Sequence, residues 1–514
     1  MAERLIIPGL PAPAHHPGLS RWERDCAATI VLRFFAAVNL RLAAAAMNVQ
    51  YDRARSNRRA RKSSQVLGIV RGVNLMIKRI DARDWMRAAL LPAIMFCTAM
   101  LGAGTCWAEG DAAVVADTAP QSAAWESQTL PTKLTVGYSV RIADVNRDAL
   151  PDLIVVDAKR ILWFENPTWT AHSIHATPDA PYDFVCGAAE DLDGDGDLDL
   201  AIGYDWQPNN THSGGALGWL EAPTDPRQTW TLHPLATPLP TVHRIYWGDP
   251  LGTGRRGLLV VPLKGRGASA PGWDDVGVDV SLWQTPAVQS AASDAAAWSQ
   301  RTLEQSLPVM HNVQVVDWDR EGGDELLLAS LRGVHLWTFS QAQSKPRLIP
   351  LGSGDPTGSA PAQGASEIRL GRLDPQHRYL ATIEPWHGNQ VVVYLQPDGV
   401  SDAAVIAGQG PLWKRQVIDQ ELQWGHAVAC ANVDEDPAEE LVIGVRDDAG
   451  SHRCGVRIYD PQDDGSWKRT LVHPGQVAVE DLATGDLDGD GRVEIIAVGR
   501  ATGNVVIYRR SAAR

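Results

Sequence analysis

The sequence predicts an all-β protein, a seven-bladed β-propeller closed by an N-terminal strand joining the last blade. Three observations carry that expectation. One acidic-loop pattern recurs seven times in a single register, at separations of 47 to 68 residues. Each copy brings apolar runs that complete four short strands, the content of a propeller blade. A strand-like segment at 125–130 has no unit of its own, and it matches what the seventh copy lacks.

The copies follow in order. Asp144, Asn146, Asp148 and Asp152 precede the apolar run 153–156, and Asp191, Asp193, Asp195 and Asp199 precede 200–203. A degenerate third copy starts at Asp249. The fourth has Asp317, Asp319, Glu321 and Glu325. The fifth, from Arg372 through Asp374, is degenerate again. Asn432, Asp434, Asp436 and Glu440 make the sixth, and Asp486, Asp488, Asp490 and Glu494 the seventh. Carboxylates at loop positions 1, 3, 5 and 9 converge on one point, and an all-oxygen ligand set selects a hard cation, so Ca²⁺ is the expected ion. An EF-hand is excluded: the twelfth position counted from Asp191 is Ile202, and the flanks read as strand.

After each loop strand comes a second strand with aromatic residues in most copies (161–164, 217–220, 280–283, 334–337, 391–394, 456–459, 505–508), and most copies then add a Trp-led strand opened by Trp169, Trp230, Trp298, Trp413 or Trp467. The seventh copy lacks this last strand. The orphan segment opened by Trp125 has its pattern, so it is expected to pair with 505–508 and leave no open sheet edge. An open solenoid is the alternative topology.

The N-terminal quarter differs in kind. Residues 1–108 carry 16 Lys and Arg against 6 Asp and Glu, which leaves 31 against 55 for the rest, a net −24. So acidic a body argues against nucleic acid and anionic membrane as partners. Residues 1–75 are Arg- and Ala-rich and read as a disordered leader or misassigned start. Residues 76–108, basic and then apolar, read as a signal peptide; 109–124 is a linker and 125–511 the propeller. The protein is therefore expected to be exported, with membrane attachment only if the signal segment stays uncleaved. Cys186, Cys430 and Cys454 remain beyond that segment, an odd number without regular spacing. No Walker loop or paired dinucleotide glycines appear, so no nucleotide cofactor is expected.

The repeats resemble the FG-GAP/VCBS propeller class, best at 191–203 and 486–499. Within that class, 262–267, 384–389 and 454–459 are similar to the propeller domain of aldos-2-ulose dehydratases. That resemblance implies a lyase dehydrating keto-sugars such as anhydrofructose. The family's full-length enzymes also carry cupin domains, for which this sequence has no room.

The residue six before each acidic loop should line the channel mouth, at the other end of the inner strand. In order these are Tyr138, Val185, His243, His311, Ser366, His426 and Glu480. Neutral imidazoles with a carboxylate suit Zn²⁺ or another transition metal, so His243, His311, His426 and Glu480 are the candidate ligands. Repeat packing alone would also place like residues in one ring. Among the overhanging loops, Lys264, Arg266, Trp386, Asn389 and Arg453 are candidates to bind sugar, since Trp faces stack on pyranose rings and polar groups bond hydroxyls. His387 or His452 is the candidate base for the proton next to a ketose carbonyl. The other functional class is a non-catalytic propeller binding a carbohydrate, a cell-surface glycan or a protein.

Overall fold

The structure is a computed structural model that describes residues 124–340, 345–446 and 454–511. All of them belong to the unit Glu109–Arg514. The leader, the signal segment and two of the candidate site residues, His452 and Arg453, lie outside the described residues.

The described chain forms seven four-stranded antiparallel sheets, with consecutive strands as neighbours in six of them. The innermost strands are Gly137–Ala143, Cys186–Glu190, Val242–Gly248, Met310–Val316, Arg369–Arg372, Gly425–Ala431 and Val479–Gly485. They define blades 1 to 7. In the seventh, Trp125–Thr129 supplies the outer strand: Ser127 faces Tyr508, Gln128 faces Ile507, and Thr129 faces Val506. Leu130 N extends the ladder, donating to Val505 O at 2.9 Å. The ring thus closes on its own first strand, as expected.

Strands alternate inward and outward, and the second strand of each blade is buried along its length except at Tyr204, as in Leu153, Ile154, Val155 and Val156. Such two-sided burial suits a strand packed between neighbouring blades. The Trp residues that open the outer strands are buried too. Trp467 meets Tyr379 of the preceding blade edge-on at 5.1 Å, and Trp413 lies 5.9 Å from Trp318. They wedge adjacent blades together at the rim. Among the described residues, no helix is long and apolar enough to cross a membrane.

One local irregularity decides where function can sit. The inner strand carries a β-bulge in five blades, and the residue left over is Tyr138, His243, His311, His426 or Glu480. A bulge inserts one unpaired residue and re-aims its side chain. The repeat therefore delivers the same position of five blades to the top of the channel.

A histidine cluster at the channel mouth

The bulged histidines meet a fourth from a loop. His311, His387 and His426, from blades 4, 5 and 6, each offer a ring nitrogen within 4.8 Å of the others. Ring centroids lie 4.3 Å apart for His311 and His387 and 4.9 Å for His311 and His426. His243 joins from blade 3, 4.6 Å from His311. His387 is not on an inner strand. It sits in the hairpin loop after Arg378–Glu384, at φ 52°, a left-handed conformation a non-glycine residue adopts at a cost. Val309 and Trp424, each two residues before a bulged histidine, are also at positive φ. Strained entries aim the strands at the cluster.

Two tryptophans roof it. Trp206 stacks on His243 at 5.0 Å and Trp386 on His387 at 4.4 Å. Burial comes first in holding all four imidazoles well below their ordinary range, and Arg244 and Arg446 add like charge. The cluster is neutral. His243 has neither ring nitrogen hydrogen-bonded among the described residues, and Nε2 of both His311 and His387 is buried without a partner. His426 turns Nδ1 to Glu480 O at 2.5 Å, leaving Nε2 for the cluster. An unmet buried polar group costs on the order of 1–3 kcal/mol. Converging neutral imidazoles with open nitrogens fit a transition-metal ion, held by His311, His387 and His426 with a position left over.

That set departs from the expected one in three places. His387, expected as a base, lies among the ligand candidates. Glu480 was expected as a ligand, but its carboxylate is 3.8 Å from His426 Nε2 and engaged elsewhere: by Arg500 Nη1 at 2.7 Å and Arg446 Nη1 at 3.0 Å. Each of its oxygens thus already has a charged donor. His243 is in the cluster but outside the tight group of three.

The expected sugar-binding side chains divide. Trp386 is in the roof. Lys264 is buried, its Nζ donating to Pro208 O at 2.7 Å and Asn209 Oδ1 at 3.0 Å and lying 3.9 Å from the Trp273 ring centre. Burial lowers its pKa to about 8. Arg266 donates to His212 O at 2.7 Å and Pro238 O at 3.3 Å. Both therefore tie loops of blades 2 and 3 to each other. Asn389 donates to Gln420 O at 3.1 Å and lines a separate cavity of about 450 Å³ with Arg457 and Arg469.

Beneath the cluster lies a group the spacing could not reveal. Glu367, one residue past the ring position of blade 5, puts Oε1 2.5 Å from His311 Nδ1, and each residue is 1% exposed. Asn312 Nδ2 donates to its other oxygen, and Tyr246 OH donates to Asn312 Oδ1 at 2.6 Å. Burial raises the Glu367 pKa to about 7, while Arg244 pulls it down.

At the opposite face the acidic loops gather as spaced. Asp191, Asp193 and Asp199 form one cluster, Asp317, Asp319 and Glu325 another, Asp486, Asp488 and Glu494 a third, and Asp434, Asp436 and Glu440 a fourth, joined by Asp460 from the next strand. Asp195, Glu321 and Asp490 stand outside these groups, and Asp490 is paired with Arg492. In the first loop Asn146 bonds Asp148 at 3.0 Å. The ninth residue works twice: Asp152, Asp199, Glu325, Glu440 and Glu494 each accept from the loop's second backbone N–H. The two degenerate loops are closed by the protein itself, Thr253 capping Asp249 and His377 pairing with Asp374 at 2.6 Å.

Residues 214–397 match the family of aldos-2-ulose dehydratase β-propeller domains, and 144–202 match an FG-GAP-like repeat. Among curated proteins, an aldos-2-ulose dehydratase of Phanerodontia chrysosporium is 26% identical over 292 residues, covering 54% of this chain and 31% of that protein. The match spans about a third of the relative's length. A chain from the crystal structure of a mitotic checkpoint complex aligns with 79% of this chain and 95% of its own, at TM-score 0.44 and 12% identity. The protein is a seven-bladed propeller that resembles FG-GAP-like repeats and the propeller domain of aldos-2-ulose dehydratases.

Proposed function

From that likeness we propose that the protein is an exported, calcium-stabilised propeller that binds a keto-sugar at its channel mouth and dehydrates it with the help of a transition-metal ion. One observation carries the reading: four neutral imidazoles, three of them with a buried unpartnered nitrogen, converge under two tryptophans. His311, His387 and His426 would hold the ion. Bound there, it supplies a Lewis acid that polarises a carbonyl.

The chain's own residues do the rest. Trp206 and Trp386 offer faces for the apolar side of a pyranose ring and keep water out. Arg446 and Arg500, fixed by Glu480, orient hydroxyl groups. His243 is the imidazole left without a partner, so it accepts the proton from the carbon beside the ketone. It then returns that proton to the hydroxyl departing from the next carbon. Water leaves, a carbon–carbon double bond forms, and the imidazole is neutral again. The acidic loops stiffen the opposite face with Ca²⁺.

Two variants separate the roles, with 1,5-anhydrofructose as substrate and near-ultraviolet absorbance of the unsaturated ketone as readout. His311→Ala should lose both the transition metal and turnover. His243→Ala should keep the metal and lose turnover by about 10²–10⁴-fold, the usual contribution of a positioned base. Sugar binding without turnover in the metal-loaded wild type would support a non-catalytic module instead. Full turnover in His311→Ala would contradict the proposal outright.

A further inference from the structure

The carboxylate beneath the cluster has no part in that scheme, and its geometry is specific. Glu367 Oε1 lies 2.5 Å from His311 Nδ1, although the contact is too bent to count as a finished hydrogen bond. His311 Nδ1 has no other partner among the described residues, and neither does Glu367 Oε1. The second oxygen of Glu367 is held by Asn312, which is held in turn by Tyr246. The line Tyr246–Asn312–Glu367–His311 crosses blades 3, 4 and 5 and ends on the imidazole central to the cluster, in ring contact with His243, His387 and His426.

We propose that Glu367 is the positioning residue of this centre: its carboxylate takes the Nδ1 proton of His311 as a hydrogen bond and so turns the Nε2 lone pair toward His387 and His426. This rests on the reading of the cluster as a metal centre, but the tautomer it requires is a property of the protein alone. A neutral imidazole carries one proton, and the partner of one nitrogen decides which nitrogen is left to coordinate. A carboxylate at that partner position also makes the ligand more basic, and its removal costs metal affinity about 10–100-fold. Asn312 and Tyr246 fix the carboxylate so that it cannot rotate away. No comparable carboxylate serves His426, whose Nδ1 meets a backbone carbonyl.

The test has two independent arms, on wild type and Glu367→Gln at pH 8. In metal-free protein labelled with ¹⁵N-histidine, His311 (assigned by its loss in His311→Gln) should be the Nδ1–H tautomer. Glu367→Gln should fold with an unchanged thermal midpoint yet show a mixed tautomer. In the second arm, chelator competition should give a 10–100-fold weaker Zn²⁺ affinity for Glu367→Gln, with an altered visible spectrum of the Co²⁺-substituted protein. Glu367→Asp should recover part of both. An Nε2–H tautomer in wild type, or wild-type affinity and spectrum in Glu367→Gln, overturns the assignment. If wild type shows the Nδ1–H tautomer but binds neither Zn²⁺ nor Co²⁺, the metal reading falls while the positioning contact stands.

Discussion

Single residues set what the channel mouth can do. Spacing from the acidic loops located His243, His311 and His426, because the inner strand is 7 residues long in each of blades 3, 4 and 6. It could not show what each ring nitrogen faces. Whether an imidazole is a ligand or a base depends on what faces its nitrogens, and those partners come from other blades: Glu367 to His311, Glu480 O to His426, nothing to His243. His387 was singled out in the sequence but not as a cluster member, since its placement depends on a left-handed backbone turn. The roof gives a prediction at this scale. Trp206→Ala should leave the metal content unchanged and raise KM about 2- to 10-fold, the loss of roughly 0.5–1.5 kcal/mol of stacking, with kcat less affected. A variant that loses metal instead would make Trp206 a prop for His243 rather than a sugar platform.

Elements explain why the repeat survives in sequence. The loop pattern was legible because its carboxylates are local and regularly spaced. What escaped was the long-range contribution of Asp460, which reaches the sixth loop from the neighbouring strand. The bulges escaped as well, because a single extra residue leaves no mark in a run such as 425–431. Burial and neighbouring carboxylates raise Asp199, Glu325 and Glu440 to about 7. A carboxyl raised from about 4 holds a proton that the unfolded chain has already released. The cation-free protein therefore loses stability as pH rises from about 4 to about 7, where those groups titrate. A bound cation reverses that cost. Thermal midpoints with and without Ca²⁺ should thus differ by several degrees at pH 8 and converge toward pH 5; saturation at 100 times Kd is worth about 2.7 kcal/mol per site. Equal shifts at both pH values would remove Ca²⁺ from the loops.

The whole molecule depends on closure. The orphan strand at 125–130 was legible because its Trp-led pattern had no blade, and the ladder from Trp125 to Thr129 against Val506 to Arg510 completes the seventh sheet. Trp125 is 6% exposed and packs with Val506 and Tyr508. Trp125→Ala should cost about 3–5 kcal/mol and lower the unfolding midpoint of the whole propeller in one transition; a midpoint within a degree of wild type would mean that the ring is held elsewhere. Closure also brings blade 7's Glu480 and Arg500 up to the cluster from blades 3 to 6. The account as a whole turns on that centre. Its most direct test is metal analysis of protein purified without chelators, read beside His311→Ala. The account predicts one transition-metal ion per chain in wild type, distinct from Ca²⁺ and absent from His311→Ala. Wild-type protein that turns over a keto-sugar with no transition metal, or a His311→Ala protein that retains the ion, would contradict it.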